Sequence, residues 1–329
     1  MKQKLTAWLL LSANLAAAEG PPVILDMRIE DRVVYFFDNA DPTKLATQVT
    51  KTMPDPARTF SQFFSVADIV SINGKPTKGV WTIRAIVTNM SPTPRPGDAI
   101  ADVVRGNQID SIWEVLHPDG TAIGTIAALG LSAGPSPPGA PVIAQNTNLA
   151  ICGGTGAFLG VRGQASLVEL IRIEHLASMT EDPSNRRVHS GGNGVRRLVL
   201  HLIPMIRPEI MTSGGRAEIL HSDFSPVTPS APARAGEVLL AIATGLGPVR
   251  LRIDPGSPFP QDPLAPVSSP VEVLINGEPV EVINAVGFPE TTERYRVDFR
   301  VPAGTPPGPV SVGLRAAWIA GTTQQFNIR

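Results

Sequence analysis

The stretch Asn148–Leu167, "NLAICGGTGAFLGVRGQASL", places Gly153, Gly154, Gly156 and Gly160 between two apolar runs. Such text is either a phosphate cradle opening a helix or a backbone that turns sharply between strands. A dinucleotide loop needs a glycine three residues after its G-x-G, so that the next helix can pack closely on the strand. Counted from Gly154-Thr155-Gly156, that position is Leu159, and Gly160 comes one residue late. A P-loop needs Gly-Lys-Ser/Thr, which does not follow. Gly160, Gly163 and the β-branched residues beyond them would make a poor first helical turn. The stretch therefore reads as a tight strand-to-strand connection or a bulge at a barrel corner. No cofactor is expected.

The flanking text is strand text. Apolar residues alternate or run in short blocks, which predicts strands near Arg32–Phe37, Ser61–Ile72, Val80–Asn89, Ile109–Leu116, Ala122–Leu131, Thr147–Cys152, Gly160–His175 and Arg196–Ile206. Asn73-Gly74 and Asp119-Gly120 are tight-turn dipeptides. "SPTPRPG" (Ser91–Gly97) and "GPSPPGAP" (Gly134–Pro141) cannot continue a strand and read as longer loops. One short helix is expected over Pro42–Met53. "EDPSNRRVHSGGNG" (Glu181–Gly194), followed by Arg196 and Arg197, reads as a solvated loop or an anion patch, the former favoured because no aromatic residue is interleaved.

Near Ser213 the composition shifts to Pro, Ser, Ala and Gly, which marks a domain boundary. Shorter strands are predicted beyond it at Glu237–Thr244, Val249–Ile253, Val271–Ile275, Pro279–Ala285, Arg294–Val301, Val310–Ala316 and Gln324–Ile328, with a hairpin around Asn276-Gly277. That strand count suits an immunoglobulin-like sandwich over 214–329 that lacks a Cys…Trp…Cys core.

The bulk numbers agree with two β-domains. The chain has 329 residues, 43% hydrophobic, with 33 prolines and 30 glycines. Charged residues are 17% and the net charge is −1, which removes a polyanion such as nucleic acid as partner. "MKQKLTAWLLLSANLAAAEG" has a basic start, a short apolar core and small residues at Ala16-Ala17-Ala18. Residues 1–18 are thus expected to be a signal peptide, cleaved near Ala18, of a secreted, periplasmic or cell-surface protein. No later run is long and apolar enough for a membrane helix, so no integral membrane segment is expected. Cys152 is the single cysteine and reads as a small buried hydrophobe. His117, His175, His189, His201 and His221 lack a metal-ligand spacing, and no G-x-S-x-G elbow is present.

"GGTGAFLGVRGQASL" resembles the GGTG-x-F-x-x-x-R-G signature of dirigent proteins and, more loosely, of allene oxide cyclases. "RVVYFFDNADPTKLATQV" (Arg32–Val49) is similar to their first barrel strand, and "AIGTIAALGL" (Ala122–Leu131) to the strand before the signature. The resemblance implies an all-β fold over 24–210, an eight-stranded antiparallel barrel that binds a small apolar or phenolic ligand in its interior and forms a homo-oligomer through the barrel. Residues from His221 onward look like the uncharacterised Solibacter-type C-terminal domain of bacterial secreted proteins, which implies a β-sandwich appendage without known catalytic residues.

Carried over position by position, Asp38 matches the acid that ends the first strand and Arg162 the arginine of the signature. A carboxylate in an apolar pocket can hold a proton, and an arginine can bind a substrate oxygen. Phe37 stands where the family has His, and Ala157 where coupling-competent members carry an acid. Asp38 also begins turn text, "DNADP", and Arg162 would serve as a salt-bridge partner. Three functions remain open at this point: a secreted module binding a small apolar ligand, a dirigent- or cyclase-type guide that uses Asp38 and Arg162, and a structural or adhesive surface protein.

Overall fold

The computed structural model describes residues 22–37, 44, 61–88, 106–132, 148–171, 175–182, 194–254 and 256–329. Among these residues there is no helix, and none long and apolar enough to cross a membrane. Asp38, most of the expected helix over Pro42–Met53, the two proline-rich loops and the N-terminal 18 residues lie outside them.

Eight antiparallel strands close into a barrel: β1 (Val23–Phe36), β2 (Ser61–Ile72), β3 (Lys75–Thr88), β4 (Gly106–Leu116), β5 (Ala122–Ser132), β6 (Asn148–Gly156), β7 (Arg162–Ile171) and β9 (Val195–Ile203). A short β8 (His175–Ala177) adds in parallel to the end of β1. Side chains alternate across each strand. In β4, for instance, Ile109, Ser111, Trp113 and Val115 are buried while Gln108, Ile112 and Glu114 are exposed.

β1 closes the barrel by pairing with β9 along Val23–Glu30 and with β2 along Met27–Phe36. It can serve both because it is longer than the strand expected from Arg32. "VILDMRI" already alternates, with Leu25, Met27 and Ile29 inside. Register shifts on either side of Ile29–Glu30, with Asp31 at φ 62, bend it from one partner to the other.

The two rims differ. At the base lie the type I′ turn Asn73-Gly74 (φ 50 and 75), the turn after β4 and the turn between β6 and β7. In the second of these the Asp119 carboxylate accepts from Thr121 N and Oγ1, which holds the carboxyl well below its ordinary range. The four long connections, 38–60, 89–105, 133–147 and 172–194, all join strand ends at the opposite rim.

The glycine stretch is both a bulge and a turn. Ala128 pairs with Ile151 and Ala127 with Gly153, so Cys152 is the extra residue. β6 then continues to Gly156 and turns through 157–161 into β7. Gly156 has φ +62, and a Cβ there would run into the Ile123 carbonyl. Cys152 is exposed, contrary to the buried position expected for it. With Leu149 and Ile151 inside, the bulge leaves it on the outer face, its Sγ on Ala127 O at 3.4 Å.

The second unit holds two sheets. One contains β10 (Glu209–Ile210), β13 (Ile219–His221), β14 (Val238–Thr244), β17 (Val282–Gly287) and β18 (Tyr295–Arg300). The other contains β15 (Val271–Ile275), β16 (Glu278–Val280), β19 (Gly308–Ala316) and β20 (Ile319–Ile328). β11 (Thr212–Ser213) and β12 (Arg216–Ala217) form a separate hairpin. Leu239, Ala241 and Phe299 of the first sheet share one core with Val273, Val312 and Leu314 of the second. The expected strand Pro279–Ala285 divides, since Glu278–Val280 pairs with β15 and Val282–Gly287 with β18. Val249–Ile253 forms only a bridge, Val249 to Val267.

The second unit docks on the barrel base. The β19–β20 turn is Ala317-Trp318, and Ala317 (0% exposed) and Ile319 (2%) belong to the hydrophobic core of the barrel rather than to that of their own sheets. Both turn residues are left-handed, at φ 47 and 65. That backbone costs an L-residue roughly 1–2 kcal/mol, and burial of the apolar turn offsets it. Tyr295 Oη donates to Gly247 O (2.7 Å), and any Cβ at Gly247 would strike Ala157 of the β6–β7 turn. Arg207 Nη1 donates to Ala320 O (2.9 Å), and Arg250 faces Asp119 at 3.6 Å.

Candidate functional site

The inward residues stack in rows set by strand register. One row reads Ala67, Trp81, Trp113, Ile126 across β2 to β5; the next toward the long-loop rim reads Ser65, Ile83, Ser111, Ala128; the next reads Phe63, Ala85, Ile109, Gly130. Small side chains thus face large ones, and the polar groups concentrate in the middle row.

Trp81 and Trp113 stack across the β3–β4 pair, with ring centroids 6.4 Å apart and planes 11° from parallel. Trp81 Nε1 donates to Ser111 Oγ at 2.6 Å. Trp113 is fully buried, and among the described residues its Nε1–H has no hydrogen-bond acceptor. Leaving a buried donor unpaired costs about 1–3 kcal/mol. One row nearer the rim, Arg32 Nε donates to the buried Ser65 Oγ at 3.2 Å. Its guanidinium carbon stands 5.8 Å from the centroid of Phe63, which packs on Phe36. Arg196 is 1% exposed and shares the inward parity of Leu198, Leu200 and Leu202.

The barrel interior is therefore aromatic and aliphatic with donors set into it: an indole N–H, two serine hydroxyls and arginine. Such a lining can surround a small apolar molecule and hold an oxygen acceptor on it.

Arg162 is placed elsewhere. It begins β7 at the base, pairs with Ile203, and is exposed, with Nη1 on Val161 O at 3.0 Å. Ala165 shows which parity of β7 is buried, and Arg162 has the other. Phe37, the last described residue before Asp38, is at the long-loop rim, bonded to Gln62 O. The length of β7, about 30 Å, separates that rim from Arg162. Ala157 is also at the base, against Gly247.

Sequence reasoning missed Arg32, Arg196 and the tryptophan pair. The strand expected over Arg196–Ile206 is part of β9, and Arg196, read beside the solvated loop or anion patch, is buried there because it shares the parity of Leu198, Leu200 and Leu202. Its neighbour Arg197 faces out, where it pairs with Asp26 at 2.8 Å. The signal for Arg32 is the "EDR" that interrupts the apolar text of β1, where the bulge re-aims its side chain. Trp81 and Trp113 are legible as a pair only once β3 and β4 are in register.

Compared with known protein families, curated proteins and solved structures, the chain matches none.

Proposed function

We propose that this protein is a secreted binding module whose barrel holds a small, mainly apolar molecule carrying an oxygen acceptor. Kinship of the barrel with the dirigent and allene oxide cyclase fold, and of the second unit with an immunoglobulin-like sandwich, belongs to the same reading. So does the role of the sandwich as an appendage that seals the barrel base.

The observation that carries the proposal is the buried Trp113 indole N–H with no acceptor, one row below the Ser65 and Ser111 hydroxyls. A buried unpaired donor calls for a ligand or water, since the fold gains nothing from it. The strand ends that the long connections join share one rim, which supports that end as the mouth.

The test is a native mass-spectrometry screen of small phenols and their deoxy analogues on the mature chain and on Trp113→Phe. Phenols should bind in preference to the analogues, and Trp113→Phe should weaken them about tenfold, the worth of one hydrogen bond. Absence of any bound phenol would favour a structural or adhesive role. Equal binding to both chains would remove the interior donor from the site.

A further inference from the structure

A cavity lies where the two units meet, with a volume of about 260 Å³. The β2–β3 hairpin and the β4–β5 turn supply one wall, and β15, β19 and the Ala317-Trp318 turn supply the other. Leu116, Pro118, Ile123, Pro270 and Trp318 make it largely apolar. Lys75, Glu272 and Arg315 stand on its edge.

Charge is the first clue to an occupant. Glu272 accepts from Arg315 Nη1 at 2.7 Å and from Lys75 Nζ. Burial pushes its carboxyl up, but the bonds from Lys75 and Arg315 outweigh this and hold it below the ordinary range. Two cations therefore share one carboxylate. His117, also on the wall, is engaged by Asp119 at 3.0 Å, and Asp119 faces Arg250. The cavity edge keeps one unit of positive charge. Glu272 engages Arg315 through Nη1, and the rest of that planar fork remains available to a second carboxylate.

The second clue is the backbone at Trp318. Both Asn-Gly turns, 73–74 and 276–277, are two-residue hairpin turns with positive φ at each residue. Gly214-Gly215, between β11 and β12, is another, whereas Ala317-Trp318 fills the same kind of turn with two residues that carry a Cβ, sterically the poorer choice. It is the turn that sets an indole ring on the cavity wall. Strain of this kind gathers at ligand clamps.

We infer that this junction is a binding site, separate from the barrel interior, for a small apolar molecule with a single negative charge, of the size of a one-ring aromatic carboxylate. The ring lies against Trp318 and the prolines, and the carboxylate meets Arg315 and Lys75. The volume falls below the ~300–1,000 Å³ of drug-sized sites, so larger ligands do not fit. Because walls come from both units, an occupant ties them together.

The experiment is calorimetric titration of the mature chain with benzoate and with neutral benzamide. Benzoate should bind at least about tenfold more tightly. Arg315→Gln should lose that preference. Lys75→Gln, at a side chain 65% exposed whose removal leaves the cores intact, should weaken benzoate severalfold. Arg84→Gln, at an exposed cation on the outer face of the barrel that pairs with Asp110 away from the cavity, should leave benzoate affinity unchanged. Equal affinity for the two probes, no binding of benzoate at millimolar concentration, indifference to both charge variants, or a loss in Arg84→Gln would each overturn the inference. Failure of the barrel reading alone would leave all four expected results in place.

Discussion

Ile319→Ala tests whether the second unit completes the barrel core or merely rests against it. Ile319 is 2% exposed and belongs to the barrel core although it opens β20 of the other unit. The substitution removes three buried carbons at about 0.8 kcal/mol each, or about 2.4 kcal/mol. The space left behind raises the loss toward the 2–5 kcal/mol usual for such truncations. If the barrel opens as one cooperative body, the loss is felt in strands that never touch residue 319 in sequence. Hydrogen exchange read peptide by peptide is the assay. Amides of β3 and β4 should exchange roughly 50-fold faster in the variant, the factor that 2.4 kcal/mol gives. Faster exchange confined to β19 and β20, with β3 and β4 unmoved, would refute a shared core.

Two further results follow from the same geometry. Gly163 has φ +143, and a Cβ there would run into the His201 carbonyl on β9, so Gly163→Ala should cost about 2–3 kcal/mol. Its thermal midpoint should fall by about 5–10 °C, and an unchanged midpoint would contradict the β7–β9 register. His221 donates to Glu237 at 2.6 Å, and that hydrogen bond raises the imidazole above its ordinary 6.5 against the opposing effect of burial. The stabilisation is complete below 6.5 and is lost as pH climbs through the raised value. Urea titrations across that window should show the decline in the native chain and a flat profile in His221→Gln. A decline of equal size in His221→Gln would assign the effect to another group.

Local signals were legible in the sequence. The alternation in Ser61–Ile72 and Ala122–Leu131 and the glycyl turns at 73–74 and 276–277 depend on neighbours within a few residues. The helix-free reading of Asn148–Leu167 rested on glycine spacing and on steric needs that are also local. The candidate site was less legible. Arg162 was chosen by motif, but the side of a strand that faces inward is set by the parity of its partners. Arg32 and Arg196 lie inside because β1 is bulged between two partners and Arg196 falls in phase with Leu198, Leu200 and Leu202 of β9.

The sequence by itself determined the class of the fold and the positions of its tight turns, since strand period and turn chemistry are properties of short windows. Only the tertiary structure decided that the strand ends bordering the long connections share one rim and that Trp113 is buried beside Trp81 with its N–H unpaired among the described residues. It alone placed Ala317-Trp318 under the barrel rather than on a free hairpin tip. These arrangements join residues as far apart as Ile123 and Ile319 in one core. Contacts between remote segments are settled by packing and burial, which no local window encodes.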